Sequence, residues 1–156
     1  MTEPRSQPST SDHAGPLADV RIVEVAIALT GPYASALYTM CKRGKGSIAL
    51  DIHRDEERDI VRALARDADV FVQNFRPGIV DRLGLGYDVL AAENPDLVYA
   101  SLSGFGPEGP YAPKGAYATV IQAYAGLASN QADPDTGTPR SLNQTAADKV
   151  ASLYAA

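Results

Sequence analysis

One carboxylate and one group of basic residues are where this sequence first suggests chemistry. Asp148 lies in "TAADKVASLYAA" (145–156), in the first turn of a helix whose cap is Thr145. The helix dipole there favours the ionised form. Val150, Leu153 and Tyr154 make the apolar face of that helix. Asp148 projects to the other side, beside Ala151, Ser152 and Ala155, which are small enough for a ligand to come close. The local sequence leaves open whether Asp148 is a nucleophile or a plain N-terminal carboxylate.

The basic group starts in "QNFRPG" (73–78), directly after a short apolar run. Asn74 offers an amide, Phe75 a stacking face and Arg76 a planar fork suited to phosphate. Arg82 follows six residues on, and Lys114 stands in a later glycine/proline stretch. Together they suit an anionic, aromatic ligand such as a nucleotide. Taken singly they are also what a solvated strand end looks like.

Several other motifs fail on context. "GFGPEG" (104–109) has the G-x-G-x-x-G spacing after a strand, but Pro107, Pro110 and Pro113 exclude the helix that would hold a pyrophosphate. It is read as a loop at the sheet's carboxyl edge, where ligands of open α/β sheets bind. "KRGKGS" (42–47) lacks P-loop spacing and reads as a solvated turn. His13, His53 and Cys41 show no partner pattern, and no metal-ligand spacing occurs.

These residues need a scaffold, and strands and helices alternate to provide one. "ADVRIVEVAI" (18–27) is expected to be a central, buried strand, and "SIALDI" (47–52) a second strand. A helix over 54–69 follows, with Asp55 as N-cap, acids in its first turn and an apolar stripe at Ile60, Val61 and Leu64. "VFVQ" (70–73) is a strand; 79–96 is two short helices around a glycine break, ended by Asn94-Pro95; "LVYASLS" (97–103) is a strand. After a long glycine/proline loop come a helix at 119–129, a polar loop at 130–141 and the helix carrying Asp148. The expected fold is an α/β, Rossmann-like parallel sheet with crossover helices. The one misfit is "GPYASALYTMCKRGKGSIALD" (31–51), where only "SALYTM" looks helical between two expected strands.

The 156 residues are 45% hydrophobic and 21% charged with a net charge of −5, which suits a soluble domain without a nucleic-acid footprint. The single cysteine allows no internal disulfide and fits a cytoplasmic setting. No apolar run is long enough to cross a bilayer, so no membrane role is expected. Residues 1–16, rich in proline, serine and threonine, are expected to be a disordered tail.

The ordered run "GPLADVRIVEV", "GPYA", "KRGKGSIALD", "VQNFRPGIVDRLGLGYDVLAAENPDLVYASLSGFGPEGPY", "YATVIQAYAGLAS" and "ADKVASLYAA" resembles the family III CoA-transferases, the formyl-CoA transferase and carnitine CoA-transferase group. The resemblance implies an interlocked homodimer that moves CoA from an acyl-CoA to a carboxylic acid, with no permanently bound cofactor. Asp148 matches the family's nucleophile, which forms a mixed anhydride and then an aspartyl thioester of CoA. By the same alignment the CoA contacts are Leu29, Thr30, Leu50, Asp51, Ile52, His53, Asn74, Phe75, Arg76, Arg82, Lys114, Gly115, Ala116 and Tyr117. Tyr117 and Ala118 stand where the racemase branch has a His-Asp pair, so racemase chemistry is disfavoured.

Against the family pattern, about one helix-plus-strand unit, on the order of thirty residues, is missing between "GPYA" and "KRGK". A basic residue that helps hold the nucleotide goes with it. Residues 17–156 are therefore expected to form part of a large domain, an N-terminal fragment with an internal deletion. The alternative expectation is an inactive truncated chain that acts at most as a CoA-binding or dimerising module.

Overall fold

The computed structural model describes residues 19–26, 45–142 and 146–155. The stretch 27–44, which holds Leu29, Thr30, Cys41 and most of the misfit segment, lies outside the described residues, as do His13, Thr145 and the tail.

Among the described residues three parallel strands form the sheet: β1 (Ile22–Val25), β2 (Val70–Gln73) and β3 (Val98–Ser101), in the order β1-β2-β3. Val23 pairs with Phe71 and Phe71 with Tyr99, so the register aligns all three carboxyl ends. The open α/β architecture expected from the alternation is present. The central strand, however, is β2. Among the described residues β1 is an edge, and Ile22 is 52% exposed, because a strand with one neighbour lacks cover that a central strand receives.

The segment 47–52 is also not a strand. Its alternation does turn Leu50 and Ile52 onto the core, but its backbone is engaged elsewhere. The Asp51 N–H donates to the Glu57 carboxylate, and the Arg58 guanidinium donates to the carbonyls of Ile52 (3.2 Å) and His53 (3.0 Å). With these three groups satisfied by the next helix, this stretch becomes that helix's lead-in.

That helix, α1 (Asp55–Arg66), opens with Asp55, Glu56 and Glu57 against its dipole. Its cap residue is Arg54 rather than Asp55, which is already helical and pairs with Arg58. The buried positions are Val61 and Ala65, four apart; Ile60 and Leu64 sit on the flank, 41% and 44% exposed. The stripe is thus rotated by about one residue from the expected one. α2 (Ile79–Arg82) and α3 (Tyr87–Glu93) complete the β2–β3 crossover, and α3 packs on α1. Asn94 closes both helices, its amide donating to the carbonyls of Ala65 (3.1 Å) and Ala68 (2.8 Å). Phe71, Leu85 and Leu90 are buried at the centre, and Tyr99 stacks on Phe71 at 5.3 Å.

Beyond the loop, the expected helix over 119–129 is two, α4 (Ala118–Tyr124) and α5 (Leu127–Asn130), divided at Gly126 with φ 75°. α6 (Ala146–Ala155) packs on α4. Buried Gln122 accepts a hydrogen bond from the Leu142 amide at 2.8 Å and so ties the polar loop to α4.

Candidate functional site

The site lies at the carboxyl edge of the sheet, just past β2 and β3. Gln73, the last residue of β2, is buried and bridges the two strand ends. Its amide nitrogen donates to the Ser101 hydroxyl (2.6 Å), and its carbonyl oxygen accepts from the Phe75 amide (2.8 Å). The chain therefore leaves β2 in a fixed direction. The Ile79 amide donates to the Arg76 carbonyl, and Gly78 takes φ 78°, which a side chain would strain, to start α2.

From this edge a small open cleft of about 50 Å³ is lined by Asn74, Phe75, Arg76 and Pro77 from the β2 loop. Ser103, Gly104 and Phe105 come from the β3 loop, and Ala112, Lys114 and Ala116 from the glycine/proline loop. The cleft is far smaller than the roughly 300–1,000 Å³ that encloses a drug-sized ligand. A larger ligand would lie across it.

Two contacts set the cations. A Cβ on Gly115 would come within 2.6 Å of Arg76 Nη2, so the guanidinium lies against the bare backbone there. Lys114 Nζ is 4.1 Å from the centre of the Tyr111 ring and 5.9 Å from that of Tyr124. The loop itself is held close: a Cβ on Gly104 would meet that of Ala116 at 2.2 Å.

Of the residues expected at a ligand site, Asn74, Phe75, Arg76, Lys114 and Ala116 converge on this cleft, with Gly115 against Arg76. Arg82 is exposed one turn into α2, its guanidinium 3.5 Å from where a Cβ on Gly78 would stand. Tyr117 caps α4 and is 75% exposed. Leu50 and Ile52 pack on the core, while Asp51 and His53 form the turn before α1; none of the four lines the cleft. Asp148 is in the first turn of α6, as expected, and exposed, but it is not among the lining residues. The side chains of Ser152 and Ala155, placed beside it in the sequence, lie outside the described ones. Among the described residues no cluster of His, Cys, Asp or Glu is arranged to hold a metal.

Sequence reasoning did not single out Pro77, Ser103, Phe105 and Ala112, nor the aromatic neighbours of Lys114. The signal for Phe105 and Ala112 was the glycine/proline loop following a strand at this edge, and for Pro77 the "QNFRPG" stretch itself. The ring of Tyr99, packed on the core against Phe71, is partly desolvated. Burial, helped by the Asp81 charge and opposed by a hydrogen bond with Gln73, pushes its phenol up to about 12.

Comparison with known proteins gives a consistent picture. The family model for CoA-transferase family III matches residues 19–156. An acetyl-CoA:oxalate CoA-transferase of Acetobacter aceti is 44% identical over 118 residues, 74% of this chain and 30% of the relative. A succinate–glutarate CoA-transferase of Agrobacterium fabrum is 30% identical over 179 residues, 89% of this chain and 44% of the relative. That alignment takes in roughly 139 residues of this chain, so about 40 of its 179 positions face no residue here. A crystal structure of a CAIB/BAIF family protein from Brucella suis superposes with a TM-score of 0.77 at 30% identity, over 90% of this chain and 47% of that one. The chain thus spans less than half the length of these relatives. With a matching family model over nearly all of its length and this sheet beneath the cleft, the chain belongs to CoA-transferase family III.

Proposed function

We propose that residues 17–156 supply part of the large domain of an enzyme that moves coenzyme A from an acyl-CoA to a carboxylic acid, with Asp148 as nucleophile. The observation that carries this reading is the convergence of Asn74, Phe75 and Arg76 with Lys114, some forty residues on, at the carboxyl edge of β2 and β3. An amide, an aromatic face and two cations suit the nucleotide end of CoA. Leu29 and Thr30, which the family resemblance adds to the CoA contacts, lie outside the described residues.

The chemistry asks for a carboxylate nucleophile. The Asp148 carboxylate attacks the thioester carbon, and the CoA thiolate leaves, giving a mixed anhydride. The thiolate then attacks the aspartyl carbonyl of that anhydride, and the donor acid departs as a carboxylate. The acceptor carboxylate attacks the resulting aspartyl thioester and again expels thiolate. The thiolate takes the acceptor's acyl group, and Asp148 is regenerated. No oxidant or metal is needed, and Asp148 stands in the first turn of α6. The acting form is a homodimer in the cytoplasm.

A second reading has its own observation. Val150, Leu153 and Tyr154 on α6 are 53%, 79% and 90% exposed, a face uncovered among the described residues. On this reading the chain binds CoA weakly or pairs with another copy, without turnover. The experiment is mass-spectrometric trapping of an acyl or CoA adduct at Asp148, alongside turnover of Asp148→Ala in the complete parent protein. An adduct on Asp148 and loss of at least a thousandfold in rate are expected. Normal turnover in the variant removes Asp148 from the mechanism. Calorimetric titration of the isolated chain with CoA separates a retained binding module from an inert one.

A further inference from the structure

The three rings of Phe105, Tyr111 and Tyr124 form a closed group. Phe105 to Tyr111 is 5.6 Å, Phe105 to Tyr124 is 5.3 Å and Tyr111 to Tyr124 is 5.3 Å between centroids. Two of the three pairs are edge-on, at 82° and 62°, the arrangement the ring quadrupoles favour. Such a group reaches from the β3 loop across the glycine/proline loop to α4, so each element braces the others.

Lys114 stands on this group. Its ammonium is 4.1 Å from the Tyr111 centroid and 5.9 Å from that of Tyr124, within the range of cation–π attraction to both. The backbone reinforces the arrangement, since the Lys114 amide donates to the Tyr111 carbonyl at 2.8 Å. A lysine on a four-carbon stem is ordinarily a loosely placed charge. Here it is held on an aromatic face while also lining the cleft beside Arg76.

We propose that Tyr111 and Tyr124 are positioning residues for Lys114, fixing its ammonium at the cleft so that it meets a phosphate group of the ligand already oriented and partly dehydrated. This rests on the reading of the cleft as a CoA site, and the rings act through Lys114 rather than on the substrate. The contact uses ring faces and not phenol hydroxyls, so phenylalanine is an adequate replacement and leucine is not. The gain is the entropy and hydration that a free lysine side chain would surrender on binding.

The test is CoA affinity by calorimetry on the full chain, with proton NMR of the Lys114 side chain in the absence of ligand. The ε-methylene resonance of Lys114 is expected upfield from ring currents in the native chain and in Tyr111→Phe, and at its ordinary position in Tyr111→Leu. CoA affinity is expected to be retained in Tyr111→Phe and to fall about two- to fivefold in Tyr111→Leu, the factor an exposed cation–π contact is worth. The Tyr111→Leu loss is expected to vanish in a Lys114→Met background. Far-UV circular dichroism shows that each variant is folded, and Tyr124→Leu provides a second probe should Tyr111→Leu not be. An unshifted Lys114 resonance in the native chain, or full affinity in both leucine variants while Lys114→Met binds weakly, overturns the positioning role and leaves the CoA reading standing. Full affinity in Lys114→Met, or no CoA uptake by the native chain, removes the reading itself and the inference with it.

Discussion

Gly115 shows how one missing side chain sets a charge. Its absent Cβ gives Arg76 a place to lie, and a methyl there would meet the guanidinium at 2.6 Å. The far end of arginine moves easily, so Gly115→Ala is expected to leave stability within ~0.5 kcal/mol, as for ordinary surface changes. CoA affinity should drop severalfold, a split that denaturant melts and calorimetry together will register. Gly104 differs, because the atom it faces is the Cβ of Ala116, at 2.2 Å, and not a flexible tip. Gly104→Ala must push the loop away, and a cost of about 1–3 kcal/mol follows from overpacking. Tyr99 sets an alkaline limit. Its pKa rises from an ordinary 10.0 to about 12 in the folded chain, mostly through burial, so unfolding releases a proton between those values. The stability it contributes is whole below pH 10 and is lost as the pH climbs through about 12. Denaturation midpoints across that interval, compared with Tyr99→Phe, measure the difference.

Among the elements, the α1–β2–α2–α3 unit is held by side chains that close its ends as much as by its core. The Asn94 amide donates to two carbonyls, Ala65 and Ala68, at the end of α1, and Arg66 meets Glu93 at 2.6 Å across the helices. Asn94→Ala leaves both carbonyls without that donor and is expected to cost about 1–3 kcal/mol in urea unfolding. Phe71→Ala, at a fully buried position under Tyr99, is expected to cost about 3–5 kcal/mol. This unit was also the most legible in the sequence. "VFVQ" is a short apolar run bounded by polar residues, and glycine and Asn94-Pro95 punctuate 79–96, so local signals and tertiary demand agree. The segment 47–52 was not legible in the same way. Alternation states which side chains turn inward, but not whether the backbone finds a strand or, as here, Glu57 and Arg58. The N-cap of α1 and its rotated stripe are errors of one position, the margin at which neighbouring elements decide.

At the scale of the whole molecule, parallel strands with aligned ends gather loops from distant parts of the chain at one edge. That is why Lys114 can stand beside Asn74 and Arg76. Composition and periodicity carry no such distance; residue type suggested grouping Lys114 with Asn74 and Arg76, and the family resemblance strengthened it before the fold did. The support that Gly115, Tyr111 and Tyr124 give was not readable at all, since it depends on how closely loops approach. The burial of β1 was misjudged for a related reason: cover comes from neighbours, and β1 has one among the described residues. The most direct measurement is calorimetric titration of the chain with CoA, repeated on Arg76→Ala. Saturable binding is expected, weakened about tenfold or more in the variant by the loss of hydrogen bonds to a charged group. Absence of binding, or equal affinity in the two proteins, would contradict the CoA reading.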